Sequence, residues 1–206
     1  MMTATVERLG LGLRVALAAV VGLAVTALPV KAQTTWEPRG TKAIVATMAD
    51  NTRIQLGTVH FNAEGDGPIS FKIDWHSQPG GPFQDYFLSM REFKCIEGAT
   101  ELSCQVPYPH ATPRTVSRQA SPTQWAWLEH SLMFFYKRPA DFGAKLWNGV
   151  YYELRATPTG LQGKPQAIDL NLIAAPPAQT AVAPYKATLR DEMPAQARWL
   201  RSLSVE

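Results

Sequence analysis

Only two cysteines occur in the 206-residue chain, Cys95 and Cys104, and the stretch between them, Glu97-Gly98-Ala99-Thr100 at its centre, reads as a turn. Two thiols at this spacing could act as a redox pair, as half of a metal site or as a cross-link. C-x8-C is not the C-x-x-C of a dithiol oxidoreductase, and two cysteines without a histidine pair make a poor zinc site. The four histidines, His60, His76, His110 and His130, match none of the patterns H-x-H, H-E-x-x-H or H-x-x-E-H. Neither G-x-S-x-G nor S-x-x-K occurs, and Ser89 in FLSMR has no flanking glycine. Asp74 and Asp85 are the carboxylates a fold could bring together, but the acids are scattered, so hydrolytic catalysis is the least favoured reading. No catalytic residue, metal ligand or cofactor is assigned from these patterns.

What remains suits holding a molecule better than converting one. If Cys95 faces Cys104 on a hairpin, antiparallel register sets Phe93 opposite Val106 and Arg91 opposite Tyr108. Further on, Trp147, Tyr151 and Tyr152 form an aromatic group. An arginine among aromatic side chains can hold an anionic head group within an apolar pocket. Arg91, Tyr108, Trp147 and Tyr152 are therefore expected to line the mouth of a site for a small apolar or amphipathic ligand. The alternative is a protein–protein interaction module that docks an envelope partner through a sheet edge and the Pro/Ala-rich segment 174–187.

The chemistry of the two thiols depends on compartment, and the N-terminal residues bear on it. Arg8 and Arg14 precede a sixteen-residue apolar run, VALAAVVGLAVTALPV, which is followed by Val30-Lys31-Ala32 and Gln33. Basic region, apolar core and small-residue cleavage site form the pattern of an export signal, expected to be removed after Ala32. The run falls short of the roughly 20 residues of a membrane span, so no stable span is expected after cleavage. No cysteine follows the run for lipid attachment, and Arg-Arg is absent. Loss of residues 1–32 takes three cations and one anion from the formal charge of +3, leaving +1. Acids and bases are interspersed without a basic stripe, which argues against nucleic-acid binding. In an oxidising periplasmic or extracellular setting the two cysteines are expected to form a disulfide, worth ~2.5 to 3 kcal/mol by the chain-entropy argument.

The elements that must position these residues are mostly strands. KAIVATMA and TRIQLGTVHF flank an Asp50-Asn51 turn, and ISFKIDW alternates Ile69, Phe71, Ile73 and Trp75 against Ser70, Lys72, Asp74 and His76. The apolar phase slips between Leu56 and Val59, which predicts a β-bulge at Gly57. Strands are expected over 86–95 and 102–108, then a proline-rich crossing loop. Ser121-Pro122-Thr123-Gln124 reads as a capping box opening a helix over about 122–137, with Trp125, Leu128, Leu132 and Phe135 on one stripe. Asn148-Gly149 reads as a hairpin turn, and Val150–Arg155 and AIDLNLI read as strands joined by the loop PTGLQGKPQ. The arm over 176–190 is expected to stay outside the core, and 191–206 to form a helical turn and a closing strand. The fold class is thus mostly β with one main α-helix, in a disulfide-stapled antiparallel sheet that curls or forms a small barrel, spanning 33–175 with the tail packed on it.

The segments FLSMREFKC, CQVPYP, FFYKRPADFG and LWNGVYYEL resemble a family of uncharacterised exported proteobacterial proteins. The resemblance implies an envelope location and a shared fold over most of the mature chain, and it carries no catalytic residue. The glycine-x-tryptophan motif of calycin-like barrels is not supplied by Trp36-Glu37-Pro38-Arg39-Gly40.

Overall fold

The computed structural model describes residues 36–88, 91–108, 111–138, 148–173, 183, 185–194 and 196–206. Their strands are β1 Gly40–Met48, β2 Arg53–Asn62, β3 Ile69–Trp75, β4 Gln84–Leu88, β5 Arg91–Glu97, β6 Leu102–Gln105, β7 Thr115–Val116, β8 Phe134–Lys137, β9 Gly149–Thr157, β10 Gly160–Ile168, β11 Asp191–Glu192 and β12 Leu200–Val205. One helix, α1 Ala126–Ser131, and two 3-10 turns, Leu170–Leu172 and Ala187–Leu189, complete the described elements. All strand pairings are antiparallel, in the order β4-β5-β6-β8-β9-β10-β12-β1-β2-β3-β7 with β11 beside β10, and the sheet does not close. The mostly β, antiparallel, disulfide-stapled fold class expected from the sequence is the one observed.

Local patterning accounts for the first half. On β3, Ile69 and Phe71 are buried while Ser70, Lys72 and Asp74 face water. In β2 the pairing steps from Ile44 opposite Gly57 to Val45 opposite Gln55, so Leu56 is the extra residue of a bulge. That bulge brings Leu56, Val59 and Phe61 all into the core. Glycine is required beside it, because a Cβ on Gly57 would stand 2.5 Å from the Asp74 carbonyl oxygen.

Strands β5, β6, β8 and β9 are covered on both faces. Ile96, Phe134, Val150, Tyr152 and Leu154 point into a main core shared with Leu128 of α1 and Leu203 of β12. Cys95, Cys104, Phe135 and Tyr151 point into a second core with Met133, Ile168 and Tyr185. The disulfide joins Cys95 to Cys104 directly across the β5–β6 ladder, both fully buried.

Several elements depart from the sequence reading, each for a physical reason. The helix expected over 122–137 is confined to Ala126–Ser131. Phe134 and Phe135 alternate onto opposite faces of β8, which pairs with both β6 and β9, and those ladders outweigh the helical stripe. The capping box does not form: Gln124 Nε2 donates to the Ser117 carbonyl at 2.9 Å, and the helix N-cap, Trp125, has no side-chain cap. Gly149 is no hairpin turn but the first residue of β9, paired with Phe135 and Ile168. The loop expected through residue 166 shrinks to Pro158-Thr159, since β10 runs unbroken against β9. Pro165 is tolerated there because β12 pairs only Leu161–Gly163 and β11 only Gln166 and Ala167. Leu170–Leu172, expected as strand, is a 3-10 turn capped by Asp169. In the segment expected to stay outside the core, Tyr185 is only 1% exposed.

Candidate functional site

The structure separates the residues expected to share a ligand mouth. Arg91 is exposed and lies opposite Leu88 on the β4–β5 hairpin. Tyr108 does not face it, because the β5–β6 ladder ends at Cys95–Cys104 and Val106 N donates instead to the Met133 carbonyl at 2.9 Å. Tyr152 belongs to the core: it is 1% exposed, packs edge-on against Phe134 and donates its hydroxyl to the Leu200 carbonyl at 3.2 Å. Trp147 lies outside the described residues, as do Ser89 and His110. Asp74 and Asp85 form no carboxylate pair, since Lys72 holds the first at 2.6 Å and Lys94 the second.

Tyr108 nonetheless lines a cleft, formed at the place where the sheet stops. Strand β7 pairs only Ile69 and Ser70 of β3. Phe71 N then donates to the Arg114 carbonyl at 2.8 Å, and Ile73 and Trp75 of β3 are left half-buried. The opening is a cleft of about 280 Å³ lined by Phe71, Ile73 and Trp75 of β3, by Gln105 and Tyr108 from and after β6, and by Arg114 and Ser131. Taking about 30 Å³ of liquid volume per water, this is room for roughly nine waters or one small organic molecule.

Arg114 is the residue that gives the cleft its chemistry. Its φ of 46° places a non-glycine residue in the left-handed region, a strained arrangement typical of sites under functional constraint. Among the described residues its guanidinium has neither a carboxylate nor a carbonyl partner. A larger groove of about 540 Å³ lies beside Arg118, but that guanidinium is committed to the carbonyls of Gly67 at 2.7 Å and of Ala63 and Gly65 at 2.6 Å. The sequence hid Arg114 in the proline-rich stretch ATPRTV, where nothing marks a positive φ or the partner it lacks.

Behind the cleft lies a buried polar cluster. Glu129 accepts from the Tyr151 hydroxyl and, at 2.7 Å, from Leu154 N. His130, fully buried, is ringed by Tyr108, Trp127, Tyr151 and Tyr185. Its Nε2 accepts from Tyr185 N at 3.0 Å, so the proton sits on Nδ1, which donates to the Ala126 carbonyl at 2.6 Å. Arg190 donates to the Tyr185 carbonyl and stacks 3.8 Å over the Tyr151 ring. Desolvation pushes His130 down to about 4, aided by Arg190, and pushes Glu129 up against the opposing effect of its hydrogen bonds. With every polar atom of His130 satisfied, the cluster reads as a brace between α1, β9 and the 183–190 segment.

Among the described residues no group of three or more His, Cys, Asp or Glu side chains is placed to hold a metal ion. Comparison with family models, curated proteins and solved structures yields no match for this chain. The buried disulfide fits an extracytoplasmic protein. No helix among the described residues is long and apolar enough to cross a membrane.

Proposed function

We propose that this is an exported periplasmic binding protein that holds a small amphipathic ligand with an anionic head in the cleft beside β3. The observation that carries the reading is Arg114, a solvent-exposed guanidinium without a protein partner among the described residues, on a left-handed backbone beside an aromatic-lined opening. A carboxylate or similar anion would replace water on this guanidinium, and Phe71, Trp75 and Tyr108 would cover the apolar body. Location in the periplasm is supported by the export-signal pattern, by the buried disulfide and by the resemblance to exported proteobacterial proteins.

The test is titration with a simple amphipathic anion such as phenylacetate, followed by quenching of tryptophan fluorescence. Saturable binding is expected, weakened about tenfold or more by Arg114→Ala, the range for losing a charge-assisted hydrogen bond. Absence of saturable binding, or equal binding by Arg114→Ala, refutes the reading. Export is checked separately by N-terminal sequencing of the native protein, which should begin at Gln33.

A second reading has one specific observation behind it. Edge strand β4 exposes Phe87 at 78%, an apolar handle beside unpaired backbone groups that an envelope partner could extend by strand addition.

A further inference from the structure

The cleft has two chemically different ends, and this sets the ligand class more narrowly than an anionic amphipath. Arg114 is fixed beside Phe71 by the bond from Phe71 N to its carbonyl. Gln105 belongs to the other end: it pairs with Phe134, whose ring meets that of Trp75 at 6.2 Å. Phe71 and Trp75 are four residues apart on one strand, about 13 Å at the usual rise.

The Gln105 end offers acceptors. Gln105 Nε2 is used on the Val106 carbonyl at 3.0 Å, while its Oε1 receives no hydrogen bond among the described residues. Ser131, three residues before Phe134, donates its hydroxyl proton to the Trp127 carbonyl at 2.9 Å, which leaves its lone pairs for the cleft. A ligand ending there in a hydrocarbon would strip water from these oxygens and return nothing. We infer that the ligand carries a hydrogen-bond donor, a hydroxyl or amino group, at the end remote from its anionic head, as a small hydroxyaryl carboxylate does. The inference rests on the β3 cleft being the binding site.

Calorimetric titration of the full chain with phenylacetate and with 4-hydroxyphenylacetate separates the two claims. Both acids are expected to bind, the hydroxylated one about 2- to 10-fold more tightly, the worth of one neutral hydrogen bond. Gln105→Leu should erase that preference, and Ser131→Ala should reduce it. Equal affinities in the wild type, or a preference that survives both substitutions, overturn the inference and leave the binding site standing. Failure of both acids to bind overturns the site and the inference together.

Discussion

His130, one of four histidines whose spacing matches no metal pattern, carries a defined energetic role in the fold. Both ring nitrogens are occupied, one donating and one accepting, so a second proton would set Nε2–H against Tyr185 N–H. The titratable and charged groups facing it are Tyr108 after β6, Tyr151 from β9, and Tyr185 and Arg190 from the C-terminal segment, with Glu129 of α1 bonded to the far side of the cluster through the Tyr151 hydroxyl. A base whose folded pKa of about 4 lies below its ordinary 6.5 binds protons more readily when unfolded. Its contribution is therefore complete above about pH 6.5 and is lost as pH falls towards 4, by about 3 kcal/mol. Glu129, raised by burial, titrates with the opposite sign and offsets part of this. The comparison that isolates His130 is with His130→Gln, whose side-chain oxygen can still accept from Tyr185 N. Denaturant unfolding at pH 7 and pH 4 should show the wild type losing about 3 kcal/mol more than the variant, and equal losses would place the proton uptake elsewhere.

At the scale of elements, β2 and the bulge at Gly57 give the sharpest prediction. Any Cβ there meets the Asp74 carbonyl oxygen and, at 3.0 Å, the Trp75 Cα, both backbone atoms held in the β2–β3 ladder. Gly57→Val should cost at least the ~1–3 kcal/mol typical of overpacking, read as a lowered denaturation midpoint, and a neutral result would mean that the strand phase does not shift there. This bulge was legible because period-2 alternation in Ile54, Leu56, Val59 and Phe61 breaks at a glycine. The β5–β6 cross-link was legible because two cysteines flank a turn-like patch. The end of α1 was not, since Leu128, Leu132 and Phe135 fit a helical stripe as well as they fit a helix followed by β8. Only the ladders to β6 and β9, made by residues distant in sequence, decide between the two. For the same reason the cleft was not legible. The register argument set Arg91 opposite Tyr108, which the structure separates, and the opening beside β3 depends on β7 being two residues long and on Arg114 turning left-handed, neither of which any local pattern records.

At the scale of the molecule, the sheet order makes β12 the joint between two groups of strands. β1, β2, β3 and β7 lie on one side of it, and β10, β9, β8, β6, β5 and β4 on the other. The joint is tight: Val205 lies opposite both Ile44 and Leu161, and Leu203 and Val205 are fully buried. Gly160 and Gly163 of β10 let the backbones approach, since a Cβ on Gly160 would stand 2.2 Å from the Val205 carbonyl oxygen. The cleft is lined by β3 and by Gln105 and Tyr108, so its lining comes from groups of strands that β12 alone joins through the ladders. Deleting 200–206 should therefore remove cooperative unfolding and anion binding together. In urea, far-UV circular dichroism and tryptophan fluorescence should give one coincident transition for the full chain and broad, non-coincident changes for the truncated one. A truncated chain that kept a single sharp transition and still bound phenylacetate would show that the two halves hold each other, and shape the cleft, without the strand between them.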